Sequence, residues 1–131
     1  MLETILCIDD DPITLMLCKM VITKASFSNE IATAKNGEEA LKYFDNLKTN
    51  PSINKPQLIF LDLNMPVMNG WEFLESFITV EYSDYHDTKI IILSSTIDPQ
   101  DLEKSKKYPM VIDFLSKPIS KEMLEFLKAK I

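Results

Sequence analysis

The run Leu58-Ile59-Phe60-Leu61 ends directly in a carboxylate, Asp62. Four consecutive apolar residues of these types are typical of a short strand that is buried on both faces, as in a parallel sheet. The next segment, Asn64-Met65-Pro66-Val67-Met68-Asn69-Gly70, is rich in turn-forming residues and predicts a loop, after which residues 71–80 predict a helix. The segment therefore predicts a unit made of a buried strand, a polar strand end, a loop and a helix.

The same unit recurs along the chain, because other apolar runs end at Asp9-Asp10, at Ser94 and at Lys117-Pro118. Asp11 is a good helix cap, and Pro12 suits a first helical position. The predicted strands are 4–9, 30–34, 58–62, 89–94 and 111–115, and the predicted helices are 12–25, 36–47, 71–80, 99–107 and 120–130. This alternation predicts one α/β domain over residues 1–131, with a doubly wound parallel sheet covered by helices on both faces.

The polar strand ends are expected to converge, since ligands of such sheets bind at the carboxyl ends of the strands. Asp9, Asp10 and Asp62 would then repel one another by roughly 1–4 kcal/mol per close pair, a penalty that a divalent cation removes. Hard oxygen ligands favour Mg²⁺ over zinc. Asp62 is predicted to be a nucleophile toward phosphorus, with Lys117 and Ser94 contacting the phosphoryl oxygens.

Composition narrows the function classes further. The net charge is −6, which argues against a nucleic-acid partner, and the chain contains no arginine, so any phosphate contact must use lysine. Cys7 and Cys18 are predicted to be reduced core thiols. The opening Met1-Leu2-Glu3 leads straight into a strand, so we expect no signal peptide. No apolar run approaches the roughly 20 residues that span a bilayer, so we expect no membrane span and a cytoplasmic location.

Several other residues have a plain structural interpretation. His86 is expected to be a solvated residue of a surface loop at 82–88. The apolar residues of the third helix are expected to be core: Trp71, Phe73, Leu74 and Phe77. A short basic run is expected to form a solvated helix face, with a contact to an acidic partner as the alternative: Lys104, Lys106 and Lys107.

Five segments together resemble the receiver domain of two-component response regulators, and the resemblance covers essentially the whole chain. They are Ile5-Leu6-Cys7-Ile8-Asp9-Asp10-Asp11-Pro12, Asn36-Gly37-Glu38-Glu39-Ala40-Leu41, Leu58 to Gly70, Ile92-Leu93-Ser94-Ser95 and Phe114-Leu115-Ser116-Lys117-Pro118. The resemblance implies a flavodoxin-like fold of strand order 2-1-3-4-5 with five helices. It also implies phosphoryl transfer to Asp62 from a phosphohistidine of a sensor kinase or phosphotransfer protein, without turnover of an external substrate.

The family's roles carry over residue by residue as expectations. Asp10 would bind Mg²⁺ directly, Asp9 largely through water, and Asn64 through its backbone carbonyl. Ser94 would be the switch hydroxyl, drawn inward by the phosphoryl group, and Phe114 the switch aromatic that then rotates into the vacated space. A downstream protein would read the altered surface at 99–130. The Lys117-Pro118 bond is expected to be cis, and the loops at 48–57 and 81–88 look longer than is typical.

Alternatives from other classes fit less well. A haloacid-dehalogenase-type phosphatase also uses an Asp nucleophile, Mg²⁺, a hydroxyl and a lysine, but it needs an acid where Asn64 stands. A nucleotide-binding or flavodoxin function lacks a glycine-rich loop, since Gly37 and Gly70 are the only glycines. A degenerate receiver that only binds partners is not expected, because every position that phosphoryl transfer requires in the family carries a matching residue. The start and finish of the sequence favour a free-standing regulator over a piece of a larger protein.

Overall fold

The structure, a computed structural model, describes residues 2–50 and 52–131. Five strands alternate with five α-helices. The strands are β1 (Leu2–Ile8), β2 (Ser28–Ala34), β3 (Leu58–Leu61), β4 (Lys89–Ser94) and β5 (Val111–Ser116). The helices are α1 (Pro12–Lys24), α2 (Gly37–Thr49), α3 (Gly70–Phe77), α4 (Pro99–Ser105) and α5 (Lys121–Lys128). Met1 and Pro51, which fall within the predicted N-terminus and the predicted loop at 48–57, lie outside the described residues.

The strands form one parallel sheet in the order β2-β1-β3-β4-β5. This order confirms the predicted flavodoxin-like, doubly wound fold. β1 and β3 are neighbours in register, with Ile8 opposite Leu61, so the residues that follow both strands emerge side by side. The residues that follow β4 and β5 emerge beside them, because Ser94 pairs with Ser116.

Each face of the sheet has its own apolar core. Alternate residues of β1 divide between the two cores: Leu6 and Ile8 face α2 and α3, whereas Ile5 and Cys7 face α1 and α5. Cys18 of α1 packs in the same core as Cys7, and both cysteines are free and buried, as predicted. Burial on both faces explains why residues 5–8 of β1, 58–61 of β3 and 90–93 of β4 are apolar at every position instead of alternating.

The connection between α3 and β4 differs from the prediction of a surface loop at 82–88. Residues Val80–Tyr85 form a 3₁₀ helix, and Tyr82 and Tyr85 are buried. The Tyr82 ring packs near Phe77, and the Tyr85 ring packs at 5.0 Å from that of Phe44. The burial of two aromatic rings outweighs the polar character of the intervening residues, so the segment folds onto the core.

Two other predictions need correction on the same side of the molecule. His86 is half-buried, not solvated, and its Nε2 lies 2.7 Å from the carbonyl oxygen of Phe77, to which a protonated Nε2 donates. α3 is shorter than predicted and ends at Phe77, where Thr79 Oγ1 donates to the carbonyl of Ser76. Phe73, Leu74 and Phe77 are core residues as predicted, whereas Trp71 is only partly buried.

Smaller differences concern element ends. β1 and β2 begin earlier than predicted because Leu2 pairs with Ser28, and backbone pairing does not require apolar side chains. α4 ends at Ser105, whose Oγ donates to the carbonyl of Leu102. Among the residues that the structure describes, no helix combines the length and the apolarity that crossing a bilayer requires.

Candidate functional site

The predicted site residues meet at the carboxyl edge of the sheet, as expected. Asp9 follows β1 and Asp62 follows β3, and their backbones remain tied to the sheet: Asp9 N donates to Ala34 O at 3.0 Å, and Asp62 N donates to Ile8 O at 2.9 Å. Lys117 follows β5, and its N–H donates to Ser94 O at 2.8 Å. The sheet therefore fixes the starting point of each functional side chain.

Asp9, Asp10 and Asp62 form a tight carboxylate cluster. Each offers one oxygen, and these oxygens lie within 4.8 Å of one another. Asp9 and Asp62 are each only 5% exposed, whereas Asp10 faces solvent. An arrangement of hard oxygen ligands with one open side fits a Mg²⁺ ion that keeps several waters.

Asp11 has a different task from its two acidic neighbours. Its Oδ1 accepts from Ile13 N at 2.9 Å and caps α1, as the sequence predicted. Asp9 Oδ1 in turn accepts from Asp11 N at 3.0 Å. Because Asp11 caps α1, Asp9 and Asp10 are not needed as caps, and their carboxylates remain in the cluster with Asp62.

Lys117 provides the countercharge of the cluster. Its Nζ lies 2.6 Å from Asp9 Oδ2 and 3.2 Å from Asp62 Oδ1. Burial alone lowers the pKa of Lys117, but its hydrogen bond to Asp9 and the charges of Asp9 and Asp62 outweigh burial and raise that pKa. The lysine is therefore held charged beside the oxygen that the sequence assigns as the nucleophile.

Asp62 itself is in an electrostatically unfavourable position. Burial and the charge of Asp9 raise the pKa of Asp62, and the opposing effects of Lys117 and of a backbone hydrogen bond from Asn64 do not fully compensate. Asn64 is exposed, two residues beyond Asp62 in the following loop. The role of its carbonyl as a metal ligand stays a prediction.

Ser94 and Phe114 lie on the far side of the cluster. Ser94 is buried, and its Oγ accepts from Thr96 N at 3.4 Å. Phe114 is 6% exposed and packs with Leu63 and Ile92. Apolar packing therefore holds the ring in the buried rotamer, and the switch role of Phe114 stays a prediction. The Lys117-Pro118 peptide bond is cis, as predicted from the resemblance.

The loop from Asp62 to α3 contains a feature that sequence reasoning missed. Val67 has a φ of 68° and is 73% exposed. Met68 N donates to Pro66 O at 2.7 Å, which closes a three-residue turn around Val67. Met68 O accepts from Gly37 N at 2.9 Å, so the turn is also tied to the start of α2. β-branched residues rarely adopt positive φ, and no sequence signal at Val67 indicated it.

We predict that Val67→Asn raises the free energy of unfolding by about 1 kcal/mol, because Asn adopts a positive φ more readily than a β-branched residue, for which such backbone strain costs about 1–3 kcal/mol. Chemical denaturation measures the change. Val80→Asn is the matched control, since Val80 is also highly exposed but has no positive φ. An equal gain in both variants would show that polarity, not backbone strain, is responsible.

Gly70 allows α3 to begin against the backbone of the nucleophile. A Cβ at Gly70 would lie 2.5 Å from Asp62 O and 2.9 Å from Leu63 Cα. Gly70 N also donates to Leu63 O at 3.0 Å. A side chain at this position must therefore push the Asp62 backbone away, which no side-chain rotation can avoid.

We predict that Gly70→Ala destabilises the protein by about 1–3 kcal/mol, the usual cost of overpacking. Gly37→Ala is the matched control, because a Cβ there meets mainly the flexible end of Met68, at 2.7 Å from its Cγ. Thermal unfolding of both variants measures the difference. If Gly37→Ala proves the more damaging change, the close approach at Asp62 is not what requires glycine.

Comparison with known proteins gives consistent findings. A family model described as "Response regulator receiver domain" matches residues 5–127. The chain is 31% identical over 132 residues to the protein-glutamate methylesterase/protein-glutamine glutaminase of Bacillus subtilis, covering 96% of the chain and 32% of that protein. The chain spans less than half the length of the first curated relatives it matches.

Solved structures share the fold over the full length. A two-component response regulator from Cytophaga hutchinsonii superposes with a TM-score of 0.88 at 29% identity, covering 98% of this chain and 96% of that one. Chemotaxis protein CheY4 of Vibrio cholerae superposes with a TM-score of 0.78 at 25% identity, and each chain is covered completely. The similarity thus includes both the site-bearing sheet and every helix.

Proposed function

Because this chain belongs to the response regulator receiver domain family of two-component systems, we propose that Asp62 accepts a phosphoryl group from a phosphohistidine of a sensor kinase or a histidine phosphotransfer protein. One observation carries the proposal: Asp62 combines a buried carboxylate, two acidic neighbours within 4.8 Å and the Lys117 ammonium at 3.2 Å. Asp9 shares this environment, but its Oδ1 accepts from Asp11 N at 3.0 Å and its Oδ2 lies 2.6 Å from Lys117 Nζ, so both of its oxygens are engaged, which favours Asp62 as the nucleophile.

The transfer is a balanced exchange of bonds at phosphorus. An Asp62 oxygen attacks the phosphorus and forms a P–O bond, while the P–N bond to the donor imidazole breaks and its electron pair stays on the nitrogen, which takes a proton from solvent. Lys117 stabilises the charge on the transferred oxygens. Mg²⁺, held by Asp9, Asp10 and Asp62 with the Asn64 carbonyl, would supply further charge stabilisation. The amide of Asn64 cannot act as a general base, so the acyl phosphate should persist without turnover of an external substrate.

The surface next to the site suits a helical phosphodonor. Four apolar side chains at helical spacing are 41–62% exposed on α1: Ile13, Met16, Leu17 and Met20. The opposite face of α1 carries the buried residues Cys18 and Ile22. α1 starts two residues after Asp10, so a donor helix packed on this stripe would bring its phosphohistidine close to Asp62.

The phosphorylated state would be recognised at a second surface, away from the α1 stripe. We propose that the phosphoryl group draws Ser94 inward by a hydrogen bond and that a downstream protein reads the resulting change at 99–130. Since Phe114 is already buried, its switch role would be exerted through packing. The net charge of −6 argues against a nucleic-acid partner, and a cytoplasmic location without a membrane partner remains our proposal.

Labelling of the intact protein by a small phosphodonor such as phosphoramidate tests the proposal. We expect a mass gain of one phosphoryl group in Mg²⁺ and almost none in the presence of a chelator. Asp10→Asn should also label poorly and should lose most of the rise in melting temperature that Mg²⁺ gives the wild type. Labelling that is equally fast with chelator, or an equal Mg²⁺ shift in both proteins, would contradict the metal assignment.

A further inference from the structure

A cavity of about 560 Å³ lies at the opposite end of the sheet from Asp62. Leu2 and Lys89 are the first residues of β1 and β4, and both line it. Apolar side chains and cations share its wall, among them Leu2, Phe27, Lys55, Lys89, Lys128 and Ile131. Its volume falls in the range of about 300–1,000 Å³ that is usual for small-molecule sites.

The segments that precede β3 and β4 build one side of this cavity, through residues 55–57 and 87–88. Lys55 Nζ forms an ion pair with Asp87 at 3.0 Å, and Thr88 Oγ1 donates to Pro56 O at 2.9 Å. These contacts join the segment before β3 to the segment before β4. The cavity wall is therefore fixed by defined contacts between these two segments.

Lys89 is the unusual residue of the wall. Side chains on a strand alternate between faces, so Lys89 lies on the same face of β4 as the buried residues Ile91 and Leu93. It is half-buried, and it forms no ion pair with an acidic side chain of the described residues. The one acidic side chain among the described lining residues, Asp87, is already paired with Lys55. A partly desolvated ammonium without a counter-ion favours an added anion.

We propose that this cavity binds a small amphipathic carboxylate, with the carboxylate at Lys89 and the hydrocarbon part on Phe27, Leu2 and Ile131. Lys55 is paired with Asp87 and Lys128 with Glu125, so Lys89 is the lysine of the lining that has no acidic side-chain partner among the described residues. An ammonium without a counter-ion at this end of the molecule attracts an anion. Phe27 is buried beside the cavity and supplies an apolar floor for the ligand's chain.

Binding of decanoate, followed by NMR shift mapping and calorimetry, tests the proposal. We expect saturable binding with shifts at residues 27, 55–57, 87–89 and 128–131. Lys89→Met keeps the aliphatic stem but removes the charge, and it should weaken binding at least tenfold. Lys107→Met is the matched control, because it changes the net charge equally at an exposed position on another surface, and it should change the affinity less than twofold.

Decanol, which has a similar hydrocarbon chain but no charge, distinguishes the contribution of the carboxylate to binding from that of the hydrocarbon. Its binding should be weaker than that of decanoate in the wild type and should not change in Lys89→Met. Equal decanoate affinity in Lys89→Met and Lys107→Met, absence of saturable decanoate binding, or shifts at other surfaces would each overturn the proposal. The result is independent of the proposed phosphoryl transfer, since Lys89→Met should label at Asp62 as the wild type does.

Discussion

Asp62→Asn is expected to abolish labelling by a small phosphodonor, with no mass gain under conditions that label the wild type fully. The reason is chemical: the amide lacks the carboxylate oxygen that must form the bond to phosphorus. Intact-protein mass spectrometry measures the loss. Asp11→Asn is the matched control, because Asp11 is an adjacent acid whose task is to cap α1, and it should label normally.

The same substitution should stabilise the metal-free protein at neutral pH. Burial and Asp9 raise the pKa of Asp62 in the folded state, so the folded protein binds protons more tightly than the unfolded chain does. The stability of the wild type must therefore fall as pH rises from about 4, the ordinary pKa of aspartate, through the raised pKa of Asp62. The Asp62→Asn variant carries no charge at this position, so its stability does not fall in this way as pH rises.

Chemical denaturation at several pH values checks the pH dependence. The stability gain of Asp62→Asn should be full at pH 7 and should disappear below about pH 4, where the wild-type carboxyl is neutral in both states. Mg²⁺ should reduce the gain, because the ion compensates the charge of Asp62 in the wild type. A gain that is constant at all pH values would mean that the charge of Asp62 is not its cause.

Lys117→Met should lower the labelling rate by about 10²–10³-fold, the usual cost of removing one preorganised group that stabilises charge in the transition state. It should also lower the melting temperature of the metal-free protein, because Asp9 and Asp62 lose the ammonium that lies 2.6 Å and 3.2 Å away. Mg²⁺ should then stabilise this variant more than it stabilises the wild type, since the ion takes over the compensation.

Lys121→Met provides the control for Lys117→Met. Lys121 is an exposed lysine at the start of α5, and its loss changes the net charge by the same amount. We expect normal labelling and a normal response to Mg²⁺. Labelling of Lys117→Met at the wild-type rate, with both proteins folded by circular dichroism, would exclude Lys117 from the transfer.

The site could be predicted because its residues follow apolar strands. Asp9, Asp62 and Lys117 each come at a strand end, and the topology of a parallel sheet brings such positions together whatever the details of packing. The ion pairs could not be predicted in the same way. That Lys117 lies closer to Asp9 than to Asp62 depends on side-chain geometry, which spacing along the chain does not determine.

The mistaken predictions share a different cause, namely that tertiary contacts override local sequence character. Tyr82 and Tyr85 stand among polar residues and gave no regular apolar period, yet their rings fill space beside Phe77 and Phe44. His86 gains a backbone acceptor in the same region. The positive φ of Val67 is imposed by hydrogen bonds from both sides of its turn, which no propensity of valine predicts.

Borohydride trapping of the labelled protein tests the central claim most directly. Borohydride reduces an acyl phosphate at aspartate to homoserine, which remains in place during digestion and peptide mass spectrometry. We predict homoserine at position 62 alone, in amounts that follow the phosphoryl label and vanish with chelator. Homoserine at Asp9 or Asp10, or a phosphoryl label that survives reduction on a hydroxyl or imidazole side chain, would contradict the assignment of Asp62 as the phosphoacceptor.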